Sequence, residues 1–96
     1  MKLGIVLATR DLPRATALAL AARRARHEVS MFAMDLGCRA LSEDPDTVRR
    51  LLDEDVELVA CSNSAVGLAL ADGVERGSQD DHAAIVKTSD RMVALT

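Results

Sequence analysis

Apolar residues run almost unbroken from Lys2 to Ala8, centred on Ile5 and Val6, which predicts a strand buried on both faces. Thr9-Arg10-Asp11 reads as the turn out of it. Asp11 suits a helix N-cap, and Pro13 suits a first turn where its missing N–H costs nothing. Leu12 to Arg26 then predicts a helix whose dense apolar positions (Ala15, Leu18, Ala19, Ala22) pack against a sheet. Val29 to Met34 predicts a second strand, and Asp35-Leu36-Gly37-Cys38 a turn leaving it, with a helical turn at Arg39 to Leu41. Ser42 to Pro45 is a loop in which Ser42 or Asp44 can cap a helix over Asp46 to Asp55. That helix places Val48, Leu51 and Leu52 on one face. Val56 to Cys61 predicts a third strand, Ser64 to about Ala71 a helix, Val74 to Gly77 a short fourth strand, and Ser78 to about Ser89 a further helix with an acidic N-terminus. Arg91 to Leu95 predicts a last strand.

This strict alternation of strands and helices predicts a small doubly wound α/β domain: a five-stranded parallel sheet between helical layers, spanning residues 1–96 as one domain. In such sheets ligands bind beyond the carboxyl ends of the strands. That edge gathers Thr9 and Arg10, Asp35 to Cys38, Cys61 to Ser64, and Ser78 to His82. There is no internal repeat, low-complexity segment or linker.

The position that stands out is Cys61. It falls where a strand ends and Ser62-Asn63-Ser64, good N-cap residues, open the next helix. Free N–H groups and the positive end of a helix dipole there favour a thiolate. The N–H groups of Asn63 and Ser64 could stabilise it, and Ser62 could add a hydroxyl. The plainer reading of Cys61 is a small buried hydrophobe. Cys38, on the same edge beside Gly37, which would give it a mobile backbone, is either a resolving thiol or an incidental one. His82 is either a general acid/base near Cys61 or a helix-start residue held neutral by the dipole. Arg10 is either an anion ligand or a solvated loop residue.

Composition narrows these options. The chain is 49% hydrophobic but only 1% aromatic, so Ala, Leu and Val must fill the core. Small side chains bury little area each, at roughly 25 cal/mol per Å², so assembly into a homo-oligomer is expected. A net charge of −3 argues against a nucleic-acid partner, and Arg23-Arg24-Ala25-Arg26 reads as cations complementing a helix C-terminus. Two cysteines without CxxC spacing predict neither a disulfide scaffold nor a zinc site. Neither G-x-G-x-x-G nor a P-loop is present, so no nucleotide cofactor is expected. The apolar start is too short to span a membrane and is not followed by a cleavage region. A cytoplasmic protein with reduced thiols is expected.

Several stretches, in this order and spacing, resemble the DsrE/DsrF/DsrH-like family: Gly4-Ile5-Val6-Leu7-Ala8-Thr9, His27-Glu28-Val29-Ser30-Met31-Phe32, Ala60-Cys61-Ser62-Asn63-Ser64-Ala65, Gly77-Ser78-Gln79-Asp80-Asp81-His82-Ala83 and Ser89-Asp90-Arg91-Met92-Val93. The resemblance implies a three-layer α/β/α domain that assembles as trimers or hexamers. It implies a sulfur carrier or sulfurtransferase-like protein that holds a persulfide on the cysteine after the third strand, here Cys61. Its partners would be sulfur donor and acceptor proteins. Ser62, Ser64, His82 and Cys38 are the expected helpers. The competing expectations are a non-catalytic oligomeric binding or regulatory module of the same fold, and an enzyme pairing His82 with Cys61 as base and nucleophile.

Overall fold

The computed structural model describes residues 1–96. Its elements are β1 (Lys2–Leu7), α1 (Leu12–Arg24), β2 (Glu28–Ala33), α2 (Leu36–Glu43), α3 (Pro45–Asp53), β3 (Glu57–Cys61), β4 (Glu75–Gly77), α4 (Gln79–Thr88) and β5 (Arg91–Leu95). All strand pairs are parallel, in the order β4-β3-β2-β1-β5. The α/β class and the five-stranded parallel sheet are therefore as the sequence predicts.

Handedness sets the layers. The chain steps one way along the sheet through β1, β2 and β3, then crosses back from β4 to β5. Right-handed crossovers put α1, α2 and α3 on one face and α4 on the other. The contacts agree: α1, α2 and α3 touch one another, whereas α4 packs on β1, β2 and β4. Register fixes which side chains each layer receives. Ile5, Met31 and Leu58 align across three strands and are at most 1% exposed. Side chains alternate along a strand, so Val6, Phe32 and Val59 form the opposite row, facing α4.

The helix ends have local causes. Asp11 and Asp44 accept from the backbone N–H of Arg14 and Thr47 at the starts of α1 and α3. Both helices stop short of the expected Arg26 and Asp55 because those two residues take left-handed backbone, at φ 66° and 61°. Each then closes the end as a Schellman turn, with His27 N–H donating to Ala22 O and Val56 N–H to Leu51 O. Ser78 caps α4 through a reciprocal box with Asp81. Ser78→Ala is expected to cost about 1 kcal/mol, read as a fall in the urea midpoint at unchanged slope; an unchanged midpoint would contradict this role for the cap.

Two expectations need correction. The helical turn at Arg39 to Leu41 is a full helix, Leu36–Glu43, and Gly37 is not a mobile residue. It is buried inside that helix, and a Cβ built on it would lie 2.0 Å from the carbonyl oxygen of Leu7. Glycine is there so that α2 can press against the end of β1. The helix expected from Ser64 to Ala71 does not form. Residues 62–67 are turns and 68–71 have no regular structure. Gly67 adopts φ 78°, outside the helical basin, and carbonyls that would continue a helix are taken by Arg76 instead.

Candidate functional site

Cys61 ends β3 at the carboxyl edge of the sheet and is 7% exposed. It continues the alternation of Glu57 and Val59, which puts its side chain on the α4 side. The chain then turns sharply, with Ala65 N–H donating back to Cys61 O at 2.9 Å. This turn folds Ser64 and Asn63 over the thiol. The backbone N–H of Ser64 holds the Cys61 pKa below the usual thiol range, aided by the Ser64 hydroxyl and the Asn63 N–H. Burial and the Asp35 carboxylate oppose them. The thiolate is thus favoured by turn amides and a hydroxyl, not by a helix dipole as the sequence predicts.

The turn is held from both sides by β4. Ser62 donates its N–H and its hydroxyl to Gly77 O, at 2.8 and 2.9 Å. Arg76 reaches back across the loop, donating from Nη1 to Ala65 O at 3.0 Å and from Nη2 to Leu68 O at 2.7 Å. Ser62 is therefore an anchor of the loop, and Ser64 is the hydroxyl that acts on Cys61. Arg76 escaped the sequence reading. The available signal was an arginine inside a three-residue strand directly after a run of small and apolar residues.

Cys38 sits in the first turn of α2 and is 0% exposed. Its thiol donates to Ala33 O at 3.3 Å and lies 4.0 Å from Cys61 O. Burial pushes its pKa up. The two cysteines are neighbours at the strand ends, both are free, and they have opposite acidities. His82 lies on the α4 side. Its ring stacks on Phe32 with centroids 4.9 Å apart, and Nδ1 sits 3.2 Å from Gln79 Oε1. Ser64 and Asn63 lower the Cys61 pKa, and Asp35 raises it. Arg10 forms an ion pair with Glu43 at 2.6 Å, tying the turn after β1 to the end of α2.

Asp35 closes β2 with φ 51° and ψ −126°, a conformation that side chains other than glycine rarely adopt. It also raises the pKa of both thiols by its charge. Removing that charge with Asp35→Asn is expected to move the pH midpoint of Cys61 alkylation downward. A midpoint that stays put or rises would rule out this electrostatic role.

The structure is a small three-layer α/β domain, with Cys61 at the carboxyl edge of its parallel sheet. The likeness to a solved structure runs the length of the chain: the structure described as the crystal structure of ychN protein from E. coli matches with a TM-score of 0.82, at 20% identity, over 99% of each chain. No family model and no curated protein matches this sequence. The resemblance read from the sequence is thus supported at the level of the fold. No helix is long and apolar enough to cross a membrane.

Proposed function

We propose that this protein is a cytoplasmic sulfur carrier that holds a persulfide on Cys61. The observation that carries the reading is the stabilisation of the Cys61 thiolate by Ser64 and Asn63 at the carboxyl edge of the sheet. In the first step the thiolate attacks the outer sulfur of a donor persulfide. The new S–S bond forms on Cys61 as the old one breaks, and the donor leaves as a thiolate. In the second step an acceptor thiolate attacks the outer sulfur, and Cys61 departs as a thiolate, ready for another round. A low thiol pKa serves both steps, because it supplies the nucleophile and then improves the leaving group. Donor and acceptor are proteins, and the carrier works as a trimer or hexamer. Exposed Val86 and Met92, on and beside α4, are apolar surface that such an assembly would cover.

The test is mass spectrometry after incubation with a persulfide donor. One sulfur atom, a gain of about 32 Da, is expected on Cys61, reversed by an acceptor thiol and absent in Cys61→Ser. The 7% exposure of Cys61 favours the second reading, a binding or regulatory module of the same fold. An intact fold that takes up no sulfur would select it.

A further inference from the structure

The acidity of Cys61 suits exchange, yet only 7% of the residue meets solvent. The chain that folds over it runs from Ser62 to Gly73, between β3 and β4. Within this segment only Ala65 is buried, and Leu68, Leu70 and Ala71 are half-buried. An alanine buries little apolar area. Segments with few buried apolar contacts open locally, at a fraction of the cost of global unfolding.

The segment has a fixed end, a clasp and a joint. Ser62 fixes its start through two bonds to Gly77 O. Arg76 is the clasp. It reaches in from β4, and one exposed side chain holds both Ala65 O and Leu68 O. Gly67 lies between those two carbonyls at φ 78°, and a Cβ built there would meet no atom within 4 Å. Glycine at this position therefore serves the backbone angle and not a close approach. Hinges are often built from such small residues, which absorb changes in φ and ψ. Farther along, a groove of about 350 Å³ lies between α3 and residues Ala71 to Gly73, so that end is not packed as a core is.

We propose that residues 63–71 are a strap over Cys61, clasped by Arg76 and hinged at Gly67, and that the Cys61 sulfur reacts only when the strap opens. Closed, the strap shields an ionised sulfur from oxidants. Open, it gives the sulfur of a donor persulfide a path to Cys61. That purpose rests on the sulfur-carrier reading, but the test below follows access to the thiol alone, so the two can fail separately.

The test is the rate of iodoacetamide alkylation of Cys61, followed by peptide mass spectrometry. It is run above the pH midpoint of every variant, where the sulfur is fully ionised and differences in acidity no longer matter. The folded parent should react at least about tenfold more slowly than Cys61 in the urea-unfolded chain at the same pH. Arg76→Ala should raise the folded rate by about tenfold, because two bonds from a charged group are lost. Gly67→Ala should raise it by about fivefold, because alanine resists the left-handed backbone that the closed strap requires. This second variant leaves Arg76 in place and carries the test if Arg76→Ala does not fold. Arg24→Gln, a change of charge in the opposite layer, should leave the rate as it is. Cys38, 0% exposed in that same layer, separates opening of the strap from unfolding of the molecule: it should stay unlabelled while Cys61 reacts. The proposal is overturned if the folded parent reacts within tenfold of the unfolded chain, if either variant, once folded, reacts no faster than the parent, or if Cys38 is labelled in step with Cys61.

Discussion

Gly37→Ala is expected to destabilise the protein by about 2 kcal/mol, although alanine is the better helix former. Helix propensity favours the substitution by at most about 1 kcal/mol, the value for a helix interior, since Gly37 lies in the first turn of α2. Against this, the new Cβ would stand 2.0 Å from Leu7 O and 2.8 Å from Leu7 C. These are backbone atoms, so no side-chain rotation relieves the contact. Leu7 O also accepts the Met34 N–H at 2.9 Å, at the end of the β1–β2 ladder. α2 must retreat, or that bond must open. Such overpacking costs about 3 kcal/mol, the upper part of its usual range, and the difference is the expected net loss. For a chain of this size that corresponds to a fall in melting temperature of roughly 8–16 °C. A melting temperature at or above that of the parent would show that α2 is free to move.

The second large effect is on the thiol itself. Arg76→Ala removes the two guanidinium bonds to Ala65 O and Leu68 O, leaving Ser62 as the anchor of the 62–71 segment and loosening the Ser64 and Asn63 amides over Cys61. The pH midpoint of Cys61 alkylation should rise toward that of an unfolded thiol. The midpoint is the right quantity, because a looser loop also exposes the sulfur and changes the rate for a separate reason. The sign follows from the contacts: Ser64 and Asn63 favour the charged form, so losing them favours the thiol. Limited proteolysis between residues 62 and 74 should accelerate by about tenfold, as expected when hydrogen bonds from a charged group worth about 1.5 kcal/mol are lost. Arg76→Lys should recover only part of either effect, since an ammonium cannot reproduce the two-pronged grip on Ala65 O and Leu68 O. An unchanged midpoint in Arg76→Ala would mean that the turn is held without the arginine.

The strands were the most legible part of this chain, and the reason lies in burial. A central parallel strand is covered on both faces, so β1, β2 and β3 each announce themselves as an apolar run. Turn chemistry was legible where a side chain does the capping, as at Asp11, Asp44 and Ser78. It failed where the backbone alone decides. The Schellman ends at Arg26 and Asp55 use non-glycine residues in left-handed backbone, for which composition offers no clue. The segment after Cys61 misled for a different reason. Ala65, Val66, Leu68, Ala69 and Leu70 carry the composition of a helix, yet Gly67 breaks the backbone path and Arg76 claims the carbonyls. The place of Cys61 at a strand end was legible, because the apolar run stops there and polar residues follow. The partner that holds them in place lies on a neighbouring strand, and only the fold brings it near.

The order of the sheet has a consequence for how the molecule is made. β1 is made before the other four strands yet lies between β2 and β5, and the Lys2 N–H donates to Asp90 Oδ2 at 2.7 Å across 88 positions of sequence. Until β5 arrives, the nascent chain carries an open edge along β1, beside the residues that α4 will later cover. Contacts this distant in sequence slow folding, and an unpaired strand edge invites pairing with another chain. The partly synthesised protein is therefore the species for which a chaperone at the ribosome would matter most.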